Sequence, residues 1–298
     1  MLEMSRASPD LATASLPMNL GYGGDTLNAA VYLARKGIAV DYVTALGDDP
    51  MSAWMLQQWH SEGVGCDFVK REPGAVPGMY LIETDEQGER SFFYWRDNSP
   101  ARRLLDDPAA AQHLFERLSK HSMLYLSGIT LAIYSESARL RLFELLAEYR
   151  QGGGKVVFDG NYRPGLWQHS DAIRPAYEAM YGLTDIALPT IEDEQAIFGD
   201  ADQEAVIQRL RLHGVKEIGL KLGESGCLVA SPDVMELVAA KKVAVVDTTS
   251  AGDSFNAGYL AARLTGRSAS DSASAGHALA SVVIQHRGAI IPASAMPS

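Results

Sequence analysis

Between Asp107 and His286 the hydrophobic pattern switches repeatedly between the helical and the strand period, and this alternation limits the possible folds more than any other feature of the chain. Apolar positions three and four apart predict helices near 107–119, 135–150, 171–181, 202–213, 252–265 and 268–286. Short runs rich in Val, Ile and Leu predict strands near 122–127, 155–159, 184–188, 217–221, 226–231, 234–239 and 242–246. Elements that mostly alternate in this way bury both faces of a mostly parallel sheet under helices. No repeat, low-complexity tract or long linker interrupts the run, so one large α/β domain is expected over residues 1–298.

The front of the chain departs from that pattern in one place. Val40 to Leu46 alternates like a strand and Met51 to His60 is spaced like a helix, but Gly78 to Arg96 reads as a hairpin. Its two runs are rich in aromatic and β-branched residues and flank the polar turn Asp85 to Gly88. In the second run Phe92, Tyr94 and Arg96 share a face opposite Phe93 and Trp95. A hairpin without helices of its own is too thin to make a core. The segment from about 66 to 98 is therefore expected to cover another part of the chain, and its aromatic face could also hold a second copy of the chain as a homo-oligomer.

A formal charge of −11 and a pI near 5.1 argue against nucleic acid or an anionic membrane as partner. Lys and Arg should then concentrate where a small anionic ligand binds. Cys66 and Cys227 give neither a disulfide framework nor zinc spacing. No apolar run approaches the roughly 18 residues of a membrane helix, and a soluble, reducing, cytoplasmic setting is expected.

Asp247 to Ala261, DTTSAGDSFNAGYLA, carries the chemistry. The run Lys242 to Val246 is expected to feed a helix through a turn of small residues. Ser250, Ala251 and Gly252 let backbone N–H groups approach a ligand closely, and a helix N-terminus favours negative charge. Asp253 beside such a cradle reads either as a helix cap or as a general base that takes a hydroxyl proton while the N–H groups stabilise a phosphoryl group.

Four further stretches are candidates. In GYGGDTLN, Gly21 to Asn28, the glycines make a turn before a helix that Asp25 or Thr26 could cap; alternatively a polyol lies against Gly23 and Gly24 while Asp25 and Asn28 bind its hydroxyls. Asp159 to Trp167 leaves the end of a strand, where ligands bind in parallel sheets; Asp159 could pair with Arg163 as a clamp, or Arg163 could meet the ligand. Asp193 and Glu194 lie in a first helical turn, either as dipole complements or near a metal. Lys221 to Gly226, KLGESG, links two strands by a turn at Gly223 and Gly226, and is not a Walker A motif.

Together these motifs resemble the PfkB (ribokinase-like) family of carbohydrate kinases. Asp247, Thr248, Ala251, Gly252, Asp253, Phe255 and Gly258 match its C-terminal signature, with Ser250 at a position usually held by glycine, and Gly23, Gly24 and Asn28 match its N-terminal substrate motif. The resemblance implies a ribokinase-like α/β fold with a β lid, ATP and Mg²⁺ as cofactors, and an acid sugar as substrate. It implies Asp253 as catalytic base with Ala251 and Gly252 in the anion hole. Gly23, Gly24, Asp25, Asn28, Tyr80, Tyr94, Arg96 and Arg163 would bind the sugar, the two arginines by its carboxylate. Lys221, Gly223, Gly226, Thr248, Gly252, Gly276, His277 and Ala280 would bind ATP, and Asp193 and Glu194 would stand near the metal. Alternatives are a kinase for a neutral sugar such as fructose or ribose, or a sugar-binding protein without activity. The family opens with an apolar strand, and Met1 to Ser5 resembles the end of that segment, so the first strand of the sheet is expected to be missing.

Overall fold

The computed structural model describes residues 1–6, 16–84 and 90–297. The expected turn at Asp85 to Gly88 lies outside them. The first half runs β1 (Leu2–Arg6), β2 (Met18–Tyr22), α1 (Asp25–Arg35), β3 (Thr44–Gly47), α2 (Pro50–Ser61), β4 (Val69–Glu72), β5 (Met79–Thr84) and β6 (Arg90–Trp95), then a 3-10 turn at Pro100–Arg103. There follow α3 (Pro108–Leu118), β7 (Met123–Ser127), α4 (Gly128–Ile133), α5 (Glu136–Gln151), β8 (Lys155–Asp159), α6 (Ile173–Tyr181), β9 (Ile186–Ala187), α7 (Ile191–Phe198) and α8 (Gln203–Leu212). The last part holds β10 (Glu217–Lys221), β11 (Cys227–Ala230), β12 (Met235–Val238), α9 (Ala251–Leu264) and α10 (Ala269–Val283).

The main sheet has the order β12-β11-β10-β9-β8-β7. Strands β7 to β10 are parallel, and β11 and β12 turn back antiparallel. Successive residues of β8 divide the core. Val156 and Phe158 pack with Leu142, Leu146, Tyr177 and Leu210 of α5, α6 and α8, whereas Val157 packs with Tyr32, Phe255, Tyr259 and Leu279 of α1, α9 and α10. This period of two, with apolar residues on both faces, is what a sheet covered by helices on both sides requires. β7 is an edge strand whose residues 123–126 are only half buried. An apolar cavity of about 360 Å³ lies along it, lined by Val40, Val43, Leu124, Leu126 and Phe115 among others.

The lid differs from its expected bounds. Its sheet has the order β2-β1-β5-β6, so residues 2–6 and 18–22 contribute two of its strands, while β4 leaves it to pair with β3. Phe93 and Trp95 remain about half exposed on one face, and Phe92 and Tyr94 on the other.

The run Lys242 to Val246 is not a strand. Val245 and Val246 are exposed, and the N–H groups of Val246 and Asp247 donate to Ile284 O at the end of α10. A short alternating run satisfied by a helix terminus has no ladder to join. Likewise Val40 to Leu46 is extended only over its last part, in β3. Among the described residues no helix is long and apolar enough to cross a membrane.

Candidate active site

The carboxyl ends of β7, β8 and β10 meet the N-terminal turns of α1 and α9, and one hydrogen-bonded network ties them together. Asp159, at the end of β8, accepts from Lys221 Nζ at 3.0 Å and from Asn256 Nδ2 at 2.9 Å. Lys221 also donates to Asn256 Oδ1 at 3.2 Å, and all three residues are buried. The partner of Asp159 is therefore Lys221, not Arg163. Buried charge is tolerated here because it is paired and its remaining lone pairs are satisfied.

Asp253 lies one residue beyond Gly252 in the first turn of α9. The cap position of that helix belongs to Ser250, so capping is not the task of Asp253. Its Oδ2 accepts from Asn28 Nδ2 at 2.8 Å. The residue keeps some solvent contact, yet its carboxyl is closed in by protein. Burial above all, and the nearby charges of Asp25 and Asp159, push its pKa up to about 7, against the pull of the Asn28 hydrogen bond. A carboxyl group that titrates near neutrality is suited to take a proton from an alcohol and give it back.

Around it, Ala251 N–H already closes a turn on Thr248 O at 3.2 Å, which leaves Gly252 and Asp253 to offer the helix's unpaired N–H groups. A Cβ on Gly252 would come 3.6 Å from Lys221 Nζ, so a cation lies directly behind this turn. Ser250 holds a left-handed backbone with φ 64°, unusual for a residue other than glycine, and marks strain at the turn.

Asp25 is the first residue of α1, whose cap is Gly24, and neither Asp25 nor Thr26 caps it. The Asp25 carboxylate accepts from Ser127 Oγ and, at 3.1 Å, from Asn161 Nδ2. Burial raises its pKa, opposed by the Ser127 hydrogen bond. Two glycines precede it for different reasons. Gly24 has φ 146°, and a Cβ on Gly23 would stand 2.5 Å from the Tyr80 hydroxyl. Tyr80 spends that hydroxyl on Glu3 of the adjacent strand. Tyr94 lies across from Tyr80 in register, and its ring carries the Arg96 guanidinium 4.0 Å from its centre.

Arg96 lines a cavity of about 160 Å³ together with Gly24, Asp25 and Thr26. Arg163 does not line it; it is exposed and donates to Tyr162 O at 2.8 Å, although its charge still reaches Asp25.

The expected nucleotide and metal residues lie in different surroundings. Gly276 is buried where a Cβ would meet the Phe255 ring at 2.8 Å, His277 stacks edge-on against Phe255 and bonds Val238 O at 3.1 Å, and Ala280 continues that helix. Gly226 faces Val238 O, which a Cβ would approach to 2.2 Å. At Gly276 and Gly226 the missing Cβ permits this close packing. Gly223, by contrast, has open space beside it. Asp193 accepts from Tyr162 N at 3.1 Å, and burial raises its pKa. Glu194 is fully buried between the Tyr181 hydroxyl and Arg209 Nη2, the latter at 2.6 Å, and burial pushes its pKa up to about 7. Both its oxygens are engaged, so it holds α7 and α8 together. Among the described residues no group of three or more His, Cys, Asp or Glu is placed to hold a metal ion. An ion carried in by phosphates and water, as Mg²⁺ is, needs only a residue such as Asp193 nearby.

Sequence reading did not find Ser127, Asn256, Glu3 or Tyr125, whose hydroxyl accepts from Asn256 Nδ2 at 3.0 Å. Two had a signal: Ser127 ends a strand, and Asn256 stands three residues after Asp253 on one helix face.

Residues 6–296 match the family described as pfkB family carbohydrate kinase. The 2-dehydro-3-deoxygluconokinase of Dickeya dadantii is 46% identical over 306 residues, with 100% of this chain and 96% of that protein covered. The 2-dehydro-3-deoxygluconokinase of Escherichia coli K12 is 47% identical with the same coverage. In fold the chain is similar to a solved structure described as a putative ribokinase II from E. coli in complex with ATP and Mg²⁺, with a TM-score of 0.83, 21% identity, and 97% of this chain and 91% of that one covered.

Proposed function

The chain belongs to the pfkB family of carbohydrate kinases, and from that premise we propose that it transfers the γ-phosphoryl group of MgATP to the terminal 6-hydroxyl of 2-dehydro-3-deoxygluconate. The observation that carries the reaction is the Asp253 carboxyl, held by Asn28 beside the open turn at Gly252 and titrating near neutrality. Asp253 takes the proton of the 6-hydroxyl as its oxygen bonds to the γ-phosphorus and the bond from that phosphorus to the ADP oxygen breaks. The N–H groups of Gly252 and Asp253 stabilise the transferring phosphoryl group, and Lys221 adds positive charge from behind.

Gly23, Gly24 and Asp25 bound the sugar, with Arg96 gripping its carboxylate and Arg163 entering from the loop after β8 as the substrate binds. Lys221, Gly223 and Thr248 border the nucleotide. Mg²⁺ bound with ATP draws negative charge off the phosphates, and Asp193 would hold its water shell. The lid, closing over the sugar, would exclude water and limit wasted hydrolysis of ATP. Its exposed aromatic face favours association of two copies, which sedimentation at rising protein concentration would reveal as a shift that Trp95→Ser abolishes.

The test is ADP release with MgATP and a panel of 2-dehydro-3-deoxygluconate, its galactonate epimer, fructose, ribose and gluconate. Turnover confined to the 2-keto-3-deoxy acids supports the reading. Preferred turnover of fructose or ribose would overturn the substrate assignment.

A further inference from the structure

Two arginines follow each other on the 3-10 turn after the lid, and the fold treats them differently. Arg103 donates to Glu72 Oε1 at 2.7 Å and to Asn98 O at 3.3 Å, which ties the turn to β4. The Arg102 backbone N–H donates to Ser99 O at 3.1 Å, but its side chain makes no ion pair or hydrogen bond among the described residues. It borders both the cavity of about 160 Å³ that holds Arg96, Asp25 and Gly24 and a larger one of about 920 Å³ lined also by Asp97, Asp106 and Glu136.

Arg96, too, makes no ion pair among the described residues, and its face is spent on the Tyr94 ring. Burial lowers its pKa, and the Arg102 charge adds to that effect. The acid that shares the cavity, Asp25, is engaged by Ser127 and Asn161 and makes no ion pair with either arginine. The Arg96 and Arg102 charges, which both border this cavity, repel each other against the partial offset of Asp25 and Asp97, and an anion entering between them would relieve that repulsion.

We propose that Arg102 is a further binding residue for the carboxylate of the sugar acid, beside Arg96 and Arg163, and that with Arg96 it selects anionic over neutral sugars. The inference rests on the kinase reading above. One guanidinium supplies a two-pronged contact to one side of a carboxylate, and a second from six residues further along the chain occupies the lone pairs the first cannot reach. Thr26, Ser99 and Thr130 on the same wall supply hydroxyls for the remaining polar atoms of the ligand.

Steady-state kinetics on Arg102→Met and Arg102→Lys test the idea, because Met keeps most of the side-chain volume and loses the charge while Lys keeps the charge. Arg102→Met is expected to raise KM for 2-dehydro-3-deoxygluconate about 10- to 100-fold. Its kcat and its KM for MgATP should stay within about threefold, and Arg102→Lys should regain most of the lost affinity. Should the Met variant not fold, Arg102→Gln carries the same comparison. Unchanged KM in the uncharged variants, or equal damage by Met and Lys, would overturn the proposal while leaving the kinase reading intact. A wild-type enzyme that turns over only neutral sugars would overturn both.

Discussion

Asn28 Nδ2 and Asp253 Oδ2 lie 2.8 Å apart across a sequence separation of 225, so the first and last motifs of the chain close on one carboxylate. That contact decides what Asp253→Asn should do. Without a base, kcat should fall about 10²- to 10⁴-fold with KM for both substrates little changed. Stability should move the other way. The folded-state pKa of about 7 lies above the unfolded value near 3.8, so the group stabilises the fold fully only below the unfolded pKa and loses that contribution as pH rises through about 7. Asn carries no such penalty. Thermal melts should show the variant gaining on wild type between pH 4 and 8, by on the order of a few kcal/mol at most; a gap that does not grow with pH would contradict the buried-carboxyl account.

Removing the donor leads to a second expectation. The Asn28 hydrogen bond lowers the Asp253 pKa, and burial raises it. Asn28→Leu should therefore shift the acid limb of the kcat/KM profile to higher pH, with activity partly recovered in alkaline buffer. Wild type itself should lose activity as pH falls through about 7. A profile that simply drops at every pH would show that Asn28 acts only through the substrate.

Glu194 and Arg209 permit a test that separates architecture from metal binding. Arg209 also holds Asp200 at 2.6 Å and lies 3.6 Å from the centre of the Phe198 ring. Arg209→Met strands a buried carboxylate and should cost about 3–5 kcal/mol in denaturant melts. Because burial holds the Glu194 pKa near 7, above its ordinary 4.5, the cost should be larger at pH 8 than at pH 5, where the group is protonated. Glu194→Gln should leave the Mg²⁺ concentration for half-maximal rate unchanged, whereas Asp193→Asn should raise it about tenfold.

What could be read in the sequence followed from spacing. The main-sheet strands, α5, α8, α9 and the aromatic hairpin announce themselves by period, and Asp253 by the small residues that precede it. What could not be read depends on long-range pairing. Lys242 to Val246 alternates as a strand does, but whether a ladder lies beside it is a tertiary fact, and here α10 takes its N–H groups. The resemblance places Lys221 beside ATP, but its bonds to Asp159 and Asn256, 62 and 35 residues away, could not be read from the motif. The resemblance places Gly276 and Gly226 beside ATP, and the sequence did not show that backbone and ring crowd both glycines so closely. Local pattern reports which face is apolar; it does not report what arrives there.

The last prediction concerns Gly252, where stability and activity should separate. A methyl group there meets Lys221 Nζ at 3.6 Å, an ordinary contact, and nothing else within 4 Å. Alanine in a helix is better than glycine by up to about 1 kcal/mol, so Gly252→Ala should melt at or slightly above wild type. The same methyl adds bulk between the turn and the Lys221 ammonium, beside the N–H groups that a phosphoryl oxygen must approach. Displacing that oxygen by about 1 Å should cost roughly 100-fold in kcat, with sugar binding intact by calorimetry. A variant that is both stable and fully active would show that the phosphoryl group does not approach this turn, and the base at Asp253 would then have to be sought elsewhere.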